Sequence, residues 1–279
     1  MILTPRYDGP VILAIEGALD DQLAPVVRQR RRMETMLTDL TDDQWATPSR
    51  CDGWTVRDVA AHLIGVNSFW HGSITAGLAG NPTRFLAAFD PAATPPAMVA
   101  GMSALAPGEV LQQFIASNDS FLGVIEGLDD EGWATLAESP PGHVAIRLVA
   151  QHALWDAWVH ERDIALPLSL VSAVEDDEVR SCLCYAAAIS PTLALGWGRE
   201  VAGTFAVEAT GPDQSFVVEV GQSVALRYGP PDSGTPCLRG DAVALIEALS
   251  IRTPMPPSTP PEWTTLLAGL ATAFDTAAD

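Results

Sequence analysis

Apolar residues recur at every third or fourth position in several stretches of this chain, a spacing that predicts helices with one buried face. The first stripe runs from Leu19 to Leu40, and a second helix is predicted from about Val56 to Gly72. Further helices are predicted from about Gly108 to Glu126 and from near Gly142 to about Ile164. Four long helices joined by loops indicate a helix bundle.

Local start signals refine this bundle. Thr41-Asp-Asp-Gln44 and Thr55-Val-Arg-Asp58 have the form of capping boxes. They predict a short turn that carries Trp45 and the start of the second long helix. Between Gly77 and Pro107 the chain is rich in proline, glycine and alanine, which predicts irregular structure around one short helix.

The pattern changes after Pro167. GTFAVEAT and QSFVVEV have strand character, with Gly211-Pro-Asp between them as a turn, and SVALRYG is a candidate third strand. Helices are predicted at Asp176 to Ile189 (ending at Pro191), Asp241 to Ile251 and Glu262 to Ala277. We therefore expect residues 1–170 to form the bundle and residues 171–279 to form a small α+β domain.

Charge and hydropathy restrict the partners. The 279-residue chain has a formal net charge of −20, and all fifteen basic residues are arginine, so it should repel a phosphate backbone. No window reaches the roughly 18 uninterrupted apolar residues of a membrane span. The N-terminus lacks the positive start of a secretory signal, and we expect a cytoplasmic protein. Five charged residues are expected in solvent: Arg28, Arg30, Arg31, Arg32 and Glu161.

The stretch HALWDAWVHERD places His152, Asp156 and His160 four residues apart. On a helix, four residues advance about 400°, so the three side chains lie within about 80° of one another and can converge. A pair of nitrogen or oxygen donors at this spacing is a common way for a helix to offer two ligands to one divalent ion. Taken alone, an Asp–His pair of this kind is more often a surface hydrogen bond or salt bridge.

A third ligand must come from elsewhere, and three histidines remain: His62, His71 and His143. His62 is favoured because it shares the apolar face of its helix, where a buried imidazole needs a partner. Asp156 has the stronger need, because a buried unpaired carboxylate is costly. We expect one divalent cation shared by His62, Asp156 and His160, with His152 as an alternative ligand or as a hydrogen-bond partner of Asp156.

Two groups of residues carry a likeness to a known family. The first group lies before and within the second helix: Trp45, Pro48, Cys51, Trp54, Thr55, Val56, Arg57, Asp58 and His62. The second consists of Asp156, Val159, His160, Asp163 and Ile164. In this combination the chain resembles the mycothiol-dependent maleylpyruvate isomerase family, which has a DinB-like metal-binding four-helix bundle. The segment LRGDAVALIEALSIR, Leu238 to Arg252, is similar to the end of the family's smaller α+β domain.

The resemblance implies that His62, Asp156 and His160 bind a divalent metal, with zinc favoured, and that mycothiol is the thiol cosubstrate. A thiol bound to zinc loses its proton near neutral pH, and the thiolate can add to an electrophilic carbon. The expected enzyme is a mycothiol-dependent isomerase or S-transferase. The family generally has glutamate at the position of Asp156, so with the shorter side chain either its helix lies closer to the metal or the ligation weakens.

An anionic substrate group would need a cation, and the resemblance implies an arginine from the second domain. Arg227 is the first candidate and Arg199 the second, although both are equally compatible with a surface position. Cys51 is expected to be a packed structural residue rather than a thiol-exchange partner. Asp163 is expected to orient a neighbouring side chain.

Two other functional hypotheses stay open. One keeps the metal without the thiol, so that bound water acts in hydrolysis or the metal polarises the substrate of a cyclisation. The other is a non-catalytic binding protein with a degenerate site, which the shorter Asp156 favours. In each case we expect a small-molecule ligand, neither nucleic acid nor a membrane as partner, and a monomer or homodimer.

Overall fold

The computed structural model describes residues 2–16, 22–200 and 202–274. The predicted fold class is confirmed: a helix bundle is followed by a smaller part in which helices pack on a sheet. The predicted start of the first helix at Leu19 and the predicted end of the last at Ala277 lie outside the described residues. The division between residues 170 and 171 stays a prediction.

The elements of the first part are β1 (Leu13–Glu16), α1 (Leu23–Thr38), α2 (Asp42–Trp45), α3 (Val56–Leu78), a 3-10 turn (Phe85–Ala88), α4 (Thr94–Gly101), α5 (Pro107–Ile125), α6 (Asp130–Ala134), β2 (Leu136–Ser139), β3 (Gly142–Ala145) and α7 (Ile146–Ala165). Those that follow are α8 (Asp176–Gly196), β4 (Gly203–Thr210), β5 (Gln214–Val220), β6 (Val224–Tyr228), β7 (Cys237–Asp241), α9 (Ala242–Leu249), a 3-10 turn (Pro261–Trp263), α10 (Thr264–Leu267) and α11 (Gly269–Ala273).

Helices α1, α3, α5 and α7 form the bundle, and α3 packs against both α5 and α7. Both predicted capping boxes are present. At the second box the Thr55 hydroxyl accepts the Asp58 N–H at 3.3 Å, and the Asp58 carboxylate accepts the Thr55 N–H at 3.0 Å. These bonds fix the first turn of α3 and thereby the position of His62 in its second turn.

The helix with the spaced histidine and aspartate pair begins later than predicted. Residues 142–145 form β3, which pairs with β2 in a hairpin, and α7 starts only at Ile146. Gly142 has a φ of +132°, and a Cβ there would lie 2.0 Å from the Arg6 carbonyl oxygen. The N-terminal segment therefore lies directly against an extended Gly142, an approach that helical periodicity does not reveal.

Helix α8 continues through Pro191 to Gly196, whereas the sequence predicted its end at Ile189. Its residues from Cys182 to Ala194 are buried, so packing outweighs the missing N–H of the proline. Of the described helices, α8 is the one that is long and apolar enough to cross a membrane. Because 83 % of its most apolar window is buried inside the protein, its burial is that of a core helix.

The sheet has the strand order β1-β6-β5-β4-β7. The three predicted strands β4, β5 and β6 form its antiparallel centre, and both edges are parallel additions that the sequence did not predict. β7 pairs with β4, and β1 from the N-terminal segment pairs with β6. Helix α8 packs against β5 and β6 and also against α7, so it joins the sheet to the bundle.

An internal ion-pair network connects α1 with α7 and α8. The guanidinium of Arg32 bonds Glu161 at 2.7 Å and Glu178 at 2.7 Å, and both carboxylates are buried. Arg28 pairs with the same Glu178, and Arg30 is fully buried beside the Ala153 carbonyl, to which it donates at 3.0 Å. The expectation that Arg30, Arg32 and Glu161 lie in solvent is therefore wrong. Arg32 and Glu161 pair between helices, and Arg30 is buried with a hydrogen bond to a backbone carbonyl.

Replacing Arg32 by glutamine should lower the free energy of unfolding by about 3 kcal/mol, because two buried carboxylates lose their shared cation. Arg31→Gln is the matched control, since Arg31 is half exposed and pairs with Glu34 and Asp119. Such exposed pairs contribute at most about 1 kcal/mol. Denaturant unfolding measures both variants, and equal losses would contradict a structural role for the Arg32 network.

Candidate metal centre

Helices α3 and α7 bring three of the predicted ligands together. His62 lies on α3 and faces Asp156 and His160 on α7, and their ligand atoms all lie within 4.8 Å of one another. His160 Nε2 is 3.7 Å from Asp156 Oδ1, and the rings of His62 and His160 meet edge to face with centroids 5.0 Å apart. The two α7 residues predicted from their spacing and the histidine predicted from the apolar face of α3 therefore meet at one site.

The donors at this place fit a divalent cation. Asp156 Oδ2 is buried and has no hydrogen-bond partner in the described part of the chain. An unpaired buried carboxylate oxygen is costly, and a cation would satisfy it. Two imidazole nitrogens and one carboxylate are a ligand set that zinc accepts, with a position left open for a substrate or cosubstrate.

The protonation of the two histidines favours a cation at the same point. Desolvation, reinforced by the neighbouring His160, lowers the pKa of His62 to about 4, so its nitrogen is free to act as a ligand. Burial alone would lower the pKa of His160, but the charge of Asp156 and the hydrogen bond to Asp163 raise it to about 10. The carboxylates thus make this position strongly attractive to positive charge.

Asp163 orients His160. Its Oδ2 lies 3.0 Å from His160 Nδ1, which leaves His160 Nε2 directed at Asp156. Asp163 is fully buried, and burial would raise its pKa, but the bonds from His160 and Arg252 lower it far below its usual range. A carboxylate behind a metal-binding imidazole fixes the ring and raises its basicity.

Arg252 is the second-part residue that reaches this site, and the sequence did not single it out. Its Nε and Nη2 donate to Asp163 at 2.9 and 2.8 Å, and Nη2 lies 3.9 Å from Cys51 Sγ. Ile251 before it has a φ of +57°, a left-handed conformation that is unusual for a β-branched residue. One sequence feature could have pointed to Arg252, because it is the last residue of the C-terminal segment that resembles the family.

A second charge cluster ties α9 to the bundle beside Arg252. Glu247 accepts hydrogen bonds from Arg50 and, at 2.6 Å, from Arg162. The backbone N–H of Arg252 in turn donates to the Glu247 carbonyl at 2.8 Å. The side chain and backbone of Glu247 therefore hold the end of α9, with Arg252, against the bundle.

Cys51 lies in the loop before α3, against the same groups. Its Sγ is 3.3 Å from Asp163 Oδ2 and 3.7 Å from His160 Nδ1. It packs partly buried beside the apolar core of the bundle, in keeping with the packing role expected for it. The described residues contain a second group of possible ligands, Cys51, His160 and Asp163, but Arg252 already neutralises its carboxylate.

His152 does not join the three-residue group. It is buried, and its Nδ1 lies 2.6 Å from the hydroxyl of Tyr185 on α8. The alternatives that His152 binds the metal or bonds Asp156 thus gain no support from this geometry, because Nδ1 is turned to another helix and His152 stands outside the group of converging ligand atoms.

The other candidates lie elsewhere. Arg227 is exposed on β6 and pairs with Glu219 at 3.4 Å, and Arg199 lies over the ring of Trp197. Arg227 as the catalytic arginine therefore stays a prediction without structural support. His71 is exposed, and His143 bonds the Thr83 carbonyl at 2.8 Å.

A bundle with a His/His/Asp group between two helices, joined through a long buried helix to a small mixed sheet, defines a class of two-part proteins with a metal-type site. Within that class, residues 26–165 match the family model described as the mycothiol maleylpyruvate isomerase N-terminal domain, and the chain belongs to this family.

Two solved structures share the fold. One is a mycothiol-dependent maleylpyruvate isomerase at 12 % identity, and the other is its mutant with a histidine replaced by alanine, at 11 % identity. Each has a TM-score of 0.60 and covers 85 % of this chain and 95 % of its own. No curated protein matches the chain.

His62→Ala should abolish stoichiometric zinc binding, because it removes one of three donors from an already small set. His143→Ala is the matched control: this histidine is also partly buried and hydrogen-bonded, but lies outside the group. Metal analysis after dialysis against a weak chelator measures both. Full zinc occupancy in the first variant would show that His62 is not a ligand.

Asp163→Asn should weaken zinc binding by about 10- to 100-fold while the three donors stay in place, because the imidazole loses its charged partner. Asp241→Asn is the control, since Asp241 caps α9 and asparagine caps equally well. Competition with a chromophoric chelator measures the affinities. An unchanged affinity in Asp163→Asn would contradict the proposed orientation of His160.

Proposed function

We propose that this protein is a metal-dependent enzyme that uses mycothiol as nucleophile and isomerises maleylpyruvate or a closely similar small electrophile. The observation that carries the proposal is the meeting of His62, Asp156 and His160 within 4.8 Å in a chain that belongs to this family. The structurally similar enzyme is described as dependent on mycothiol, and its fold extends over both parts of this chain.

The three donors would hold the metal, with zinc favoured by the two imidazoles and one carboxylate. A bound zinc ion supplies one thing to the chemistry: it lowers the pKa of a coordinated thiol, so that the thiolate forms near neutral pH. The protein's own residues supply the rest. Asp163 keeps His160 Nε2 in place, and the low pKa of His62 keeps its imidazole neutral.

Arg252 is the cation that would bind the substrate. Its guanidinium stands beside the three-donor group and is partly exposed, at 20 % of its side chain. Asp163 holds one edge of the guanidinium through Nε and Nη2, which fixes its plane. A planar guanidinium held in this way suits a carboxylate or enolate oxygen.

The isomerisation needs no oxidant or reductant. The thiolate adds to one carbon of a double bond conjugated with a carbonyl, and the displaced electron pair moves to the carbonyl oxygen. The former double bond is now single and rotates. The electron pair then returns, the double bond re-forms in the trans geometry, and the thiolate leaves unchanged. Residues that hold the negative oxygen during this sequence lower the barrier.

Zinc-loaded protein should bind mycothiol in a calorimetric titration and isomerise maleylpyruvate only when both metal and thiol are present. Arg252→Gln should reduce kcat/KM by about 100-fold, because a charged donor to the substrate is lost. The solvent-exposed Arg227→Gln is the matched control and should retain activity.

Other outcomes identify other functions. A stable thioether product would show an S-transferase, and turnover without thiol would show a metalloenzyme that uses bound water or polarises its substrate. A protein that neither retains zinc nor binds mycothiol would be a binding protein with a degenerate site, and the proposal would be wrong.

A further inference from the structure

His152 is a buried histidine that has no role in the reaction described above. Its ring lies among three aromatic side chains, with centroid distances of 4.8 Å to Trp70, 5.3 Å to Trp155 and 4.9 Å to Tyr185. The residue is only 7 % exposed, and burial lowers its pKa to about 4. The imidazole is therefore neutral and held in one orientation at neutral pH.

The contact with Tyr185 assigns the proton on this ring. Burial raises the pKa of Tyr185, so the hydroxyl keeps its proton and must donate it. The acceptor it meets is His152 Nδ1 at 2.6 Å. Ser139, the other side chain that bonds this hydroxyl, lowers the pKa of Tyr185, which is the effect of a donor to the phenol oxygen rather than of an acceptor. A neutral imidazole has one acceptor and one donor nitrogen, so Nδ1 accepts and Nε2 carries the hydrogen.

The Nε2–H lies on the opposite side of the ring and makes no hydrogen bond to any residue that the structure describes. His152 is one helical turn before Asp156 on the same stripe of α7, roughly 6 Å along the axis. After a thiolate held at the three-donor group adds to the substrate, the carbonyl oxygen is four bonds of roughly 1.5 Å from the sulfur. His152 and Asp156 are thus separated along α7 by about the length of such an adduct.

We propose that His152 is a further catalytic residue, which donates its Nε2–H to the substrate's carbonyl oxygen as that oxygen becomes an enolate. This role rests on the proposed function. A neutral imidazole is a suitable electrophile here, because it stabilises charge that develops during the reaction without adding a fixed charge beforehand. Tyr185 is the positioning residue, since its hydroxyl selects the tautomer that presents the donor.

The test compares His152→Leu, which removes the donor, with His152→Gln, which keeps an N–H at a similar reach. His152→Leu should lower kcat for maleylpyruvate with mycothiol by about 100-fold, as loss of one such donor does. Zinc content and the calorimetric affinity for mycothiol should stay as in the unaltered protein, and His152→Gln should regain at least about tenfold of the lost kcat.

Trp155→Phe is the matched control for packing. It removes the Trp155 Nε1 bond to Ser250 in the same aromatic cluster but leaves the His152 donor intact. A loss of kcat in this control equal to that in His152→Leu would assign the effect to packing and overturn the inference. Full kcat in His152→Leu would overturn it as well, and so would loss of zinc from that variant, which would make His152 a ligand.

Nitrogen NMR of the zinc-loaded, unaltered protein gives a reading that does not depend on turnover. The Nε2-protonated form of His152 should be observed, and Tyr185→Phe should yield a mixture of both tautomers. A proton on Nδ1 in the unaltered protein would overturn the inference while leaving the proposed function standing. Absence of mycothiol-dependent turnover in the unaltered protein would instead overturn the proposed function, and this role with it.

Discussion

The site depends on two carboxylates that flank one imidazole. Asp156 and Asp163 approach His160 from its two nitrogens, and the fully buried Asp163 is neutralised by Arg252. On the other side, Asp156 keeps an oxygen for which the described chain supplies no hydrogen bond. A buried carboxylate is stable in a protein interior only when a cation or several hydrogen-bond donors compensate its charge. The neighbouring features position the groups that balance this charge. The capping box at Thr55 sets the position of His62, and the contacts of Glu247 hold Arg252 against the bundle.

The short side chain of Asp156 changes this balance less than its length suggests. The family generally has glutamate here, yet Asp156 still comes within 4.8 Å of both imidazoles. Helices α3 and α7 are direct neighbours in the bundle, and their packing brings the aspartate within reach of both imidazoles.

Much of the fold followed from periodicity, and the core of the site followed from spacing along one helix. The stripe on α7 and the apolar face around His62 are local properties that a chain displays before it folds. Arg252 could not be found in this way, because its partner Asp163 is 89 residues away and the contact exists only after α9 docks. Spacing likewise could not tell that Arg32 and Glu161 face each other across helices rather than water.

The edges of the sheet show the same limit. The sequence predicts β4 and β5 through their alternation of apolar and polar residues and the turn between them. β1 and β7 are short, and they are recognised as strands only through their pairing with β6 and β4. Pro191 was expected to end α8 because proline lacks an N–H, but burial on nearly every side carries the helix past it. In each case a long-range contact overrides a local preference.

The pairing of β1 with β6 has a consequence for how the chain is made. Leu13 lies beside Val224, so β1 is synthesised more than two hundred residues before the strand that it pairs with. Pairings so distant in sequence form late. Until then β6 would present an unpaired edge to other chains. β1 therefore connects the helix bundle to the sheet, and a cut between the two parts of the chain would separate β1 from β6 and leave the edge of β6 unpaired.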